Sequence, residues 1–424
     1  MLFKKSIVLF ACSFLINFTT SEIFAQGLNS WVQRSSFTGA PRINAVSFSI
    51  LDKAYVGTGK DTSGIFLKDF WEYDPTSDTW SQKADFSGTA RSAAIGFGID
   101  SAGFIGLGDD GFSYLKDLWK YEPFSNTWSQ VQDLGLYQSV SSLGRKDAAV
   151  TVLAGKAYVI CGYDGTTSNS KQCWQFDPAA DTSWTLERNF ANATDFTVIG
   201  RRWAIAFNVN ANSSIYFGMG FDHVHSYKKD LWKYNTATDV WMQVADLPGQ
   251  LRSNASAFSV FGKGYVLCGS NLTQQFDMYR YDTGINSWTR MADYPGSSSS
   301  NNISFVINNR VFLGMGNDSL NVFRQDLWEY IPDSTTGINE TEFLVNTDIY
   351  PMPVLNNYNL KLEGKNLQFP ITMKLYDISG KMCGEEVIYT RNTGLSRKNI
   401  PSGIYFYSLS FREKLIRSGK LIFQ

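Results

Sequence analysis

The chain has 424 residues, which is enough for more than one domain. It carries 38 lysines and arginines against 39 aspartates and glutamates, so the net charge of −1 offers no basic field for nucleic acid or anionic lipid. Aromatic residues make up 15% of the chain and charged residues only 18%, a balance typical of β-rich extracellular proteins.

Residues 1–25 are predicted to be a secretory signal peptide. Lys4 and Lys5 form a charged start, an apolar run covers residues 7–18, and Ala25 ends the predicted cleavage site. The apolar run is shorter than a membrane-spanning helix requires, so we expect no transmembrane segment in the mature chain. In an alternative interpretation Leu9-Phe10-Ala11-Cys12 is a lipoprotein signal, but the bulky second residue and the apolar run beyond the cysteine disfavour it.

Residues 26–332 contain a repeat of about fifty residues. Each copy has an arginine before an alternating run, then aromatic-apolar-Gly-x-Gly, then a run such as Asp69-Phe-Trp-Glu-Tyr-Asp-Pro75, then a tryptophan strand. The last of these elements gives a regular series: Trp31, Trp80, Trp128, Trp184, Trp241 and Trp288. Each element alternates with period two, which predicts four antiparallel strands, here called a to d, in every copy. A period near fifty is typical of the blades of a β-propeller.

These motifs, in this order and spacing, resemble the kelch repeat over about residues 28–332. The resemblance implies an all-β, six-bladed propeller. The Trp31 strand precedes every strand a, and the last copy, which ends at Tyr330, lacks a strand d. We therefore expect the Trp31 strand to complete the sixth blade beside the Trp328 strand, which removes two exposed edges. The tryptophans of the series are expected to pack blade against blade.

Four cysteines remain after removal of the signal: Cys161, Cys173, Cys268 and Cys383. The first three occupy positions that hold apolar residues in other copies of the repeat, so we expect buried thiols. A disulfide between Cys161 and Cys173 across neighbouring strands is the alternative that an exported protein allows.

A second domain is predicted at residues 346–424, after a polar linker at 333–345. Its short alternating strands and Gly/Pro turns predict a small Ig-like β-sandwich. Ile349-Tyr-Pro-Met-Pro353 and Met373-Lys-Leu-Tyr-Asp-Ile-Ser-Gly-Lys381 resemble the C-terminal sorting domain of type IX secretion cargo, with Met352 in place of the usual Asn. The resemblance implies that residues 346–424 engage secretion machinery and that the protein is secreted or attached to the outer-membrane surface. Whether the tail is cleaved or anchors the protein stays open, and an ordinary accessory β-domain is the alternative.

Ligand binding is expected on one face of the propeller. The d–a segments 131–144 and 186–200 are longer than their counterparts, and they extend the face that also carries the b–c loops. The arginines that precede strands a are predicted to surround the channel mouth, with Ser300 in the sixth place: Arg42, Arg91, Arg145, Arg201 and Arg252. Such a ring would favour carboxylate ligands; alternatively, the arginines brace the blades. Trp203, the one tryptophan outside the repeat positions, is a further candidate ligand contact.

The remaining motifs give weaker indications of chemistry. His223 and His225 would share one face of a strand and are weak candidates for a metal site, but no third ligand is evident. No phosphate loop or catalytic triad is present, and we predict no cofactor.

The first functional hypothesis is a non-enzymatic propeller that binds a glycan or protein ligand on its long-loop face. The kelch resemblance also implies an alternative, a sugar-modifying enzyme such as a sialic-acid mutarotase or epimerase that acts at the channel mouth on a carboxylated sugar. A mainly structural surface protein is the third possibility. The arginine ring would suit the second hypothesis best, because bidentate guanidinium groups grip carboxylates.

Overall fold

The computed structural model describes residues 29–332 and 346–424. Short internal segments are excepted: 138–139, 142, 166–168, 181–183, 192–198, 210–213, 225, 364–366, 368, 378–380 and 412–413. The predicted signal peptide and linker therefore lie outside the described residues. The chain divides into two compact units, Met1–Ser334 and Thr335–Gln424. No helix in the described part of the chain is long and apolar enough to span a membrane.

Within its described residues the first unit contains six four-stranded antiparallel sheets, each one blade with strands in the order a-b-c-d. Blade 1 comprises Val46–Ile50, Lys53–Gly57, Phe70–Asp74 and Thr79–Lys83; blade 2 comprises Ile95–Ile99, Ala102–Gly106, Leu118–Glu122 and Thr127–Val131; blade 3 comprises Ala149–Leu153, Lys156–Ile160, Cys173–Phe176 and Trp184–Glu187. Blade 4 comprises Ile205–Asn208, Ser214–Gly218, Leu231–Asn235 and Val240–Val244; blade 5 comprises Ser256–Val260, Lys263–Leu267, Met278–Asp282 and Ser287–Arg290; blade 6 comprises Ile303–Ile307, Arg310–Gly314, Leu327–Ile331 and Ser30–Arg34.

The blades form a closed ring. Strand a of every blade adjoins strand a of the next, and strand a of blade 6 adjoins that of blade 1. The innermost strands approach so closely that a Cβ on Gly98 of blade 2 would collide with the carbonyl of Ser49 in blade 1. The prediction of an all-β propeller is therefore confirmed.

The hydrophobic core lies between the blades. Strand b is buried along most of its length, whereas strand d is largely exposed, as in Ala102–Gly106 and Thr127–Val131 of blade 2. One buried cluster joins Phe97 and Phe104 of blade 2 to Phe176 and Trp184 of blade 3. Because each cluster draws on two neighbouring blades, a single blade cannot bury its own apolar face.

The tryptophan series forms a belt of hydrogen bonds between blades. Each indole N–H donates to a backbone carbonyl four residues past the preceding tryptophan of the series, over 2.8 to 3.2 Å. The six pairs are Trp80–Ser35, Trp128–Ala84, Trp184–Gln132, Trp241–Arg188, Trp288–Ala245 and Trp31–Ala292. The prediction that these tryptophans pack blade against blade is confirmed, and the last pair closes the belt.

Blade 6 contains the N-terminal strand. Ser30–Arg34 runs antiparallel to Leu327–Ile331, with Trp31 opposite Tyr330. The side-chain oxygen of Asn29 accepts hydrogen bonds from the Ala292 N–H and the Tyr330 hydroxyl, both at 2.9 Å. Strand d of this blade thus comes from the start of the unit and strands a to c from its end.

Short strand pairs lie on the face that carries the d–a segments and the b–c loops, here called the long-loop face. Arg42–Ile43 pairs with Lys60–Asp61, and Arg201–Arg202 pairs with Phe221–Asp222. Part of the predicted long segment 131–144 forms a small hairpin, Leu136–Tyr137 with Val140–Ser141. In the other long segment, 186–200, residues 192–198 lie outside the described residues.

The second unit has two sheets around one apolar core. A three-stranded sheet comprises Asn346–Tyr350, Asn357–Glu363 and Asn392–Ser396, and a four-stranded sheet comprises Met382–Ile388, Ile371–Tyr376, Gly403–Phe411 and Lys414–Phe423. Buried side chains from both sheets form the core, among them Leu360, Leu375 and Leu409.

The four cysteines in the described residues are free thiols. Cys161, Cys173 and Cys268 are buried, as predicted, and Cys383 is exposed. Burial raises the pKa of the Cys161 thiol to about 11, so this thiol is inert at neutral pH. The described residues contain no Cys161–Cys173 disulfide, although Cys161 directly follows the strand that pairs with Cys173–Phe176.

Candidate functional site

The five predicted arginines are buried inside the blades. Each has at most 2% of its surface exposed. The Arg42 guanidinium grips the Asp69 carboxylate with two hydrogen bonds of 2.6 and 2.5 Å, and it also donates to the carbonyl of Thr58 at 3.1 Å. The same arrangement holds Arg91 to Asp117, Arg201 to Asp230 and Arg252 to Asp277, and Gln172 takes the place of the carboxylate beside Arg145.

This geometry favours the bracing interpretation of the arginines over ligand binding. Each carboxylate directly precedes strand c of the blade whose strand a the arginine precedes, so the ion pair ties the starts of the two strands together. Arginine donors that are buried and bonded within the blade do not face the channel. We therefore interpret the arginines of the ring as structural anchors of the blades.

The sixth place of the ring belongs to Ser299, a correction to the expected Ser300. The N–H of Gly220 in blade 4 donates to the carbonyl of Arg252 in blade 5, and one blade further on the N–H of Gly269 donates to the carbonyl of Ser299. Phe258 and Phe305 also follow Arg252 and Ser299 by the same number of residues. The run of four serines at 297–300 hides this register in the sequence.

The channel mouth is formed two positions after the arginines. The residues there all have φ between 52° and 57°: Asn44, Ala93, Asp147, Trp203, Asn254 and Asn301. Their backbones join blade to blade, since the N–H of Asp147 donates to the carbonyl of Ala93 and that of Trp203 to the carbonyl of Asp147, at 3.0 and 3.1 Å. They line a cavity of about 160 Å³, and an alanine follows each of them except Asn301, which leaves the cavity wide.

The residues one position after the arginines form the rim of the mouth. Their charge and size differ strongly from blade to blade. Each rim residue pairs with the start of a b–c loop. Blades 3 and 4 contribute Lys146 beside Tyr163 and Arg202 beside Phe221, whereas blades 5 and 6 contribute Ser253 beside Ser270 and Ser300 beside Asn317. Blades 3 and 4 therefore give the rim a cationic and aromatic part, and blades 5 and 6 give it a neutral part with small side chains, while blades 1 and 2 contribute Ile43 beside Lys60 and Ser92 beside Asp109.

Arg202 is the most distinctive group on this rim. Its guanidinium lies 4.2 Å from the ring centre of Trp203, 5.1 Å from that of Tyr163 and 5.7 Å from that of Phe221. It forms no hydrogen bond or ion pair with the part of the chain that the structure describes, and its Nε is buried without a partner. A guanidinium fixed by aromatic faces, with its donors unused, is suited to a carboxylate.

The aromatic wall continues towards blade 2. Tyr114 and Tyr163 meet edge to face with ring centres 5.4 Å apart. The Lys146 ammonium lies 5.3 Å from the ring centre of Tyr114 and 2.8 Å from a carboxylate oxygen of Asp109. Aromatic faces beside charged and amide groups are the usual equipment for binding a sugar, which presents both C–H faces and hydroxyls.

Asp147 brings a titratable group into the mouth. Burial raises the pKa of this carboxyl to about 6, although Lys146, a hydrogen bond from the Trp203 indole and the charge of Arg202 all act in the opposite direction. A carboxyl that changes protonation near neutral pH in a cavity is a candidate general acid or base.

The b–c loops around the mouth expose large apolar residues at their tips. The exposed residues are Ile65, Phe112, Val224, Leu272 and Leu320, with exposed fractions from 59% to 97%. The loops are held rigid by aspartates: Asp110 accepts from the N–H of Phe112, and Asp318 accepts from the N–H of Leu320, both at 2.9 Å. A repeated apolar tip on a rigid turn is typical of an interaction surface.

The structure adds little support for the predicted metal site at His223 and His225. His223 is partly buried, and His225 lies outside the described residues. No group of three potential metal-binding side chains occurs within the described ranges.

The sequence analysis named Trp203 but missed Arg202, Lys146, Asp109 and Asp147. Comparison of the copies of the repeat could have identified these residues. Like Trp203, they differ from the residue type that the other copies carry at the same position. Serine stands at the place of Lys146 and Arg202 in blades 2, 5 and 6, and alanine or asparagine stands at the place of Asp147 in blades 1, 2, 5 and 6.

Comparison with known proteins supports the two units separately. Residues 348–424 match the family model of the secretion system C-terminal sorting domain, which confirms the predicted sorting domain. This domain indicates export and a surface or extracellular location. Curated proteins give no match. A solved structure described as "Structure of YjhT" aligns with a TM-score of 0.56 at 16% identity, over 69% of this chain and 95% of that chain. At this identity the likeness supports the propeller fold alone.

Proposed function

We propose that the exported propeller binds an acidic glycan at its channel mouth through Arg202 and Trp203. The observation that carries this proposal is the Arg202 guanidinium, which is positioned by three aromatic rings and bonded to nothing among the described residues. A sugar carboxylate would complete its hydrogen bonds, and the sugar ring would stack on the Trp203 indole. The apolar loop tips would widen the contact for an extended ligand.

The neutral part of the rim supports the same proposal. Ser270 offers a hydroxyl, and the mouth offers the amides of Asn44, Asn254 and Asn301. Such groups form hydrogen bonds with sugar hydroxyls without repelling a carboxylate. The Asp109 carboxylate on the rim is paired with Lys146, and the raised pKa of Asp147 reduces its opposition to a bound anion below about pH 6.

Replacing Arg202 with alanine is expected to weaken binding of acidic glycans about tenfold to a hundredfold, the value of one or two charge-assisted hydrogen bonds. The measurement is a glycan array with sialylated and uronic-acid glycans, followed by titration calorimetry of the best ligand with the mature chain. Arg290→Ala is the matched control, because Arg290 is an exposed arginine on strand d that pairs with Asp293. Equal affinity of Arg202→Ala and the wild type for every acidic glycan would exclude this mode of binding.

A second candidate function is supported by Asp147 alone. We propose that an acidic sugar held by Arg202 would place its anomeric hydroxyl near this carboxyl, so that the protein would act as a mutarotase. Ring opening of a sugar needs one group that accepts the hydroxyl proton and one that donates a proton to the ring oxygen. A carboxyl with a pKa of about 6 exchanges protons readily at neutral pH.

Replacing Asp147 with asparagine is expected to abolish mutarotation and to stabilise the protein above pH 6. The folded pKa of about 6 exceeds the ordinary value of 3.8, so the stability that the protonated carboxyl contributes is lost as pH rises through 6. The asparagine variant avoids that loss. At pH 8 its free energy of unfolding should exceed that of the wild type by about 1–2 kcal/mol, a value that allows for screening by the nearby solvent. Below pH 4 the two proteins should unfold alike.

Mutarotation is followed by NMR of freshly dissolved N-acetylneuraminic acid, and stability by urea unfolding at pH 4 and pH 8. A variant that is stabilised at pH 8 yet retains the wild-type rate would refute the catalytic role while leaving glycan binding intact. Unchanged stability at both pH values would show that the carboxyl is not buried in solution.

A further inference from the structure

Blade 6 differs from the other blades at the place of the buried arginine. In blade 1 the oxygen Oδ1 of Asp69 accepts from Arg42, and Oδ2 accepts from both Arg42 and the Trp71 indole. In blade 6 the counterpart carboxylate, Asp326, keeps the hydrogen bond from the Trp328 indole at 2.8 Å. Its Oδ1 is buried and has no hydrogen-bond partner, because Ser299 replaces the arginine.

Other oxygen atoms surround the same place. The carbonyl of Met315 corresponds to that of Thr58, which accepts from Arg42 in blade 1; here it accepts from the Ser298 hydroxyl and from the Asn302 amide. The Ser299 hydroxyl and the Asn302 side-chain carbonyl are buried without a partner. Buried polar atoms are normally satisfied, so several orphaned oxygens around one carboxylate require an explanation.

Tyr294 contributes a further oxygen. It stands where Phe37 and Phe86 lie under the arginines of blades 1 and 2, with ring centres 5.1 and 4.8 Å from the guanidinium carbon. Its side chain is 3% exposed. Its hydroxyl lies close to Ser298 and is near enough to Asp326 to be influenced by the charge of that carboxylate. Burial raises the pKa of this phenol well above its ordinary value, so the hydroxyl stays neutral.

We propose that this cluster, formed by Tyr294, Ser299, Asn302 and Asp326, binds a small monovalent cation in place of the missing arginine. One carboxylate and several neutral oxygens balance a single positive charge, and hard oxygen ligands suit an alkali-metal ion. An ammonium or guanidinium ion would use the same oxygens as hydrogen-bond acceptors. The cation would clamp strands a and c of blade 6, which is the blade that the N-terminal strand completes.

The test is thermal unfolding of the mature chain at constant ionic strength. Choline chloride serves as the reference salt, and sodium, potassium, ammonium or dilute guanidinium chloride replaces it in separate arms. We expect at least one small cation to raise Tm by about 2 °C or more, because an ion that binds only the native state stabilises that state. The arm that responds identifies the kind of cation.

Two variants make the test specific. Asp326→Asn removes the charge of the cluster and should abolish the cation response. The double variant Tyr294→Phe with Ser299→Arg recreates the arrangement of blades 1 and 2, so it should match or exceed the Tm of the cation-loaded wild type in choline chloride and should no longer respond. A wild type that responds no more than the double variant, or a response that survives in Asp326→Asn, would overturn the proposal.

Discussion

Replacing Asp117 with alanine is expected to lower the free energy of unfolding by about 3–5 kcal/mol, because it leaves a buried guanidinium without its partner. Arg91 is fully buried and donates to both oxygens of this carboxylate, at 2.6 and 2.7 Å. The indole of Trp119 loses its acceptor as well. Urea unfolding of the mature chain, monitored by tryptophan fluorescence, measures the change.

Asp293→Ala is the matched control for this prediction. It also removes one carboxylate from an arginine pair, but Arg290 and Asp293 are both largely exposed, so no measurable loss is expected. If Asp117→Ala were as stable as this control and instead lost its glycan affinity, the arginine ring would be a ligand site after all. Stability and binding, measured on the same two variants, thus separate the two interpretations of the ring.

Replacing Trp184 with alanine is expected to destabilise the propeller by about 3–5 kcal/mol, the usual result of deleting a fully buried large side chain. Its indole is fully buried, packs 5.1 Å from the ring centre of Phe176, and donates to the carbonyl of Gln132 in the preceding blade at 2.9 Å. The loss therefore combines a cavity with one unmade hydrogen bond. Urea unfolding again gives the magnitude.

Trp203→Ala provides the contrast within the same residue type. Trp203 lies at the mouth and packs on Arg202 and Phe221, so its removal should cost much less stability but most of the glycan affinity. Equal losses of stability in the two variants would mean that Trp203 is part of the core. Intact affinity in Trp203→Ala would remove the indole from the proposed binding site.

The repeat allowed most of the propeller to be predicted, because every blade depends on local patterns. Alternation within strands, turn residues after strand c and the period of the tryptophans are all properties of short segments. The pairing of Trp31 with the last copy followed from the fact that one strand was left over at each end. The kelch resemblance remains a prediction, since the structural likeness extends only to the fold.

The candidate site was predicted less well, because the direction of a side chain in a tight turn is set by the whole turn. Arg201 and Arg202 are neighbours in the sequence, yet the first is buried against Asp230 and the second packs on the Trp203 indole beside the mouth. The residue that follows them adopts a positive φ, which reorients the chain at the end of a two-residue strand. A sequence motif that contains two adjacent arginines does not indicate which one points outward.

What the sequence determined by itself was the number of blades, their closure and the export of the protein through its sorting domain, because repeated local patterns and a family motif carry that information. The tertiary structure alone decided the role of the charges. Four of the five buried arginines find a carboxylate 25 to 29 residues away, and the partners of Arg202 come from three different turns. Ion pairing and burial depend on which segments the fold brings together, so only the folded chain separates the arginines buried in the blades from the groups at the mouth.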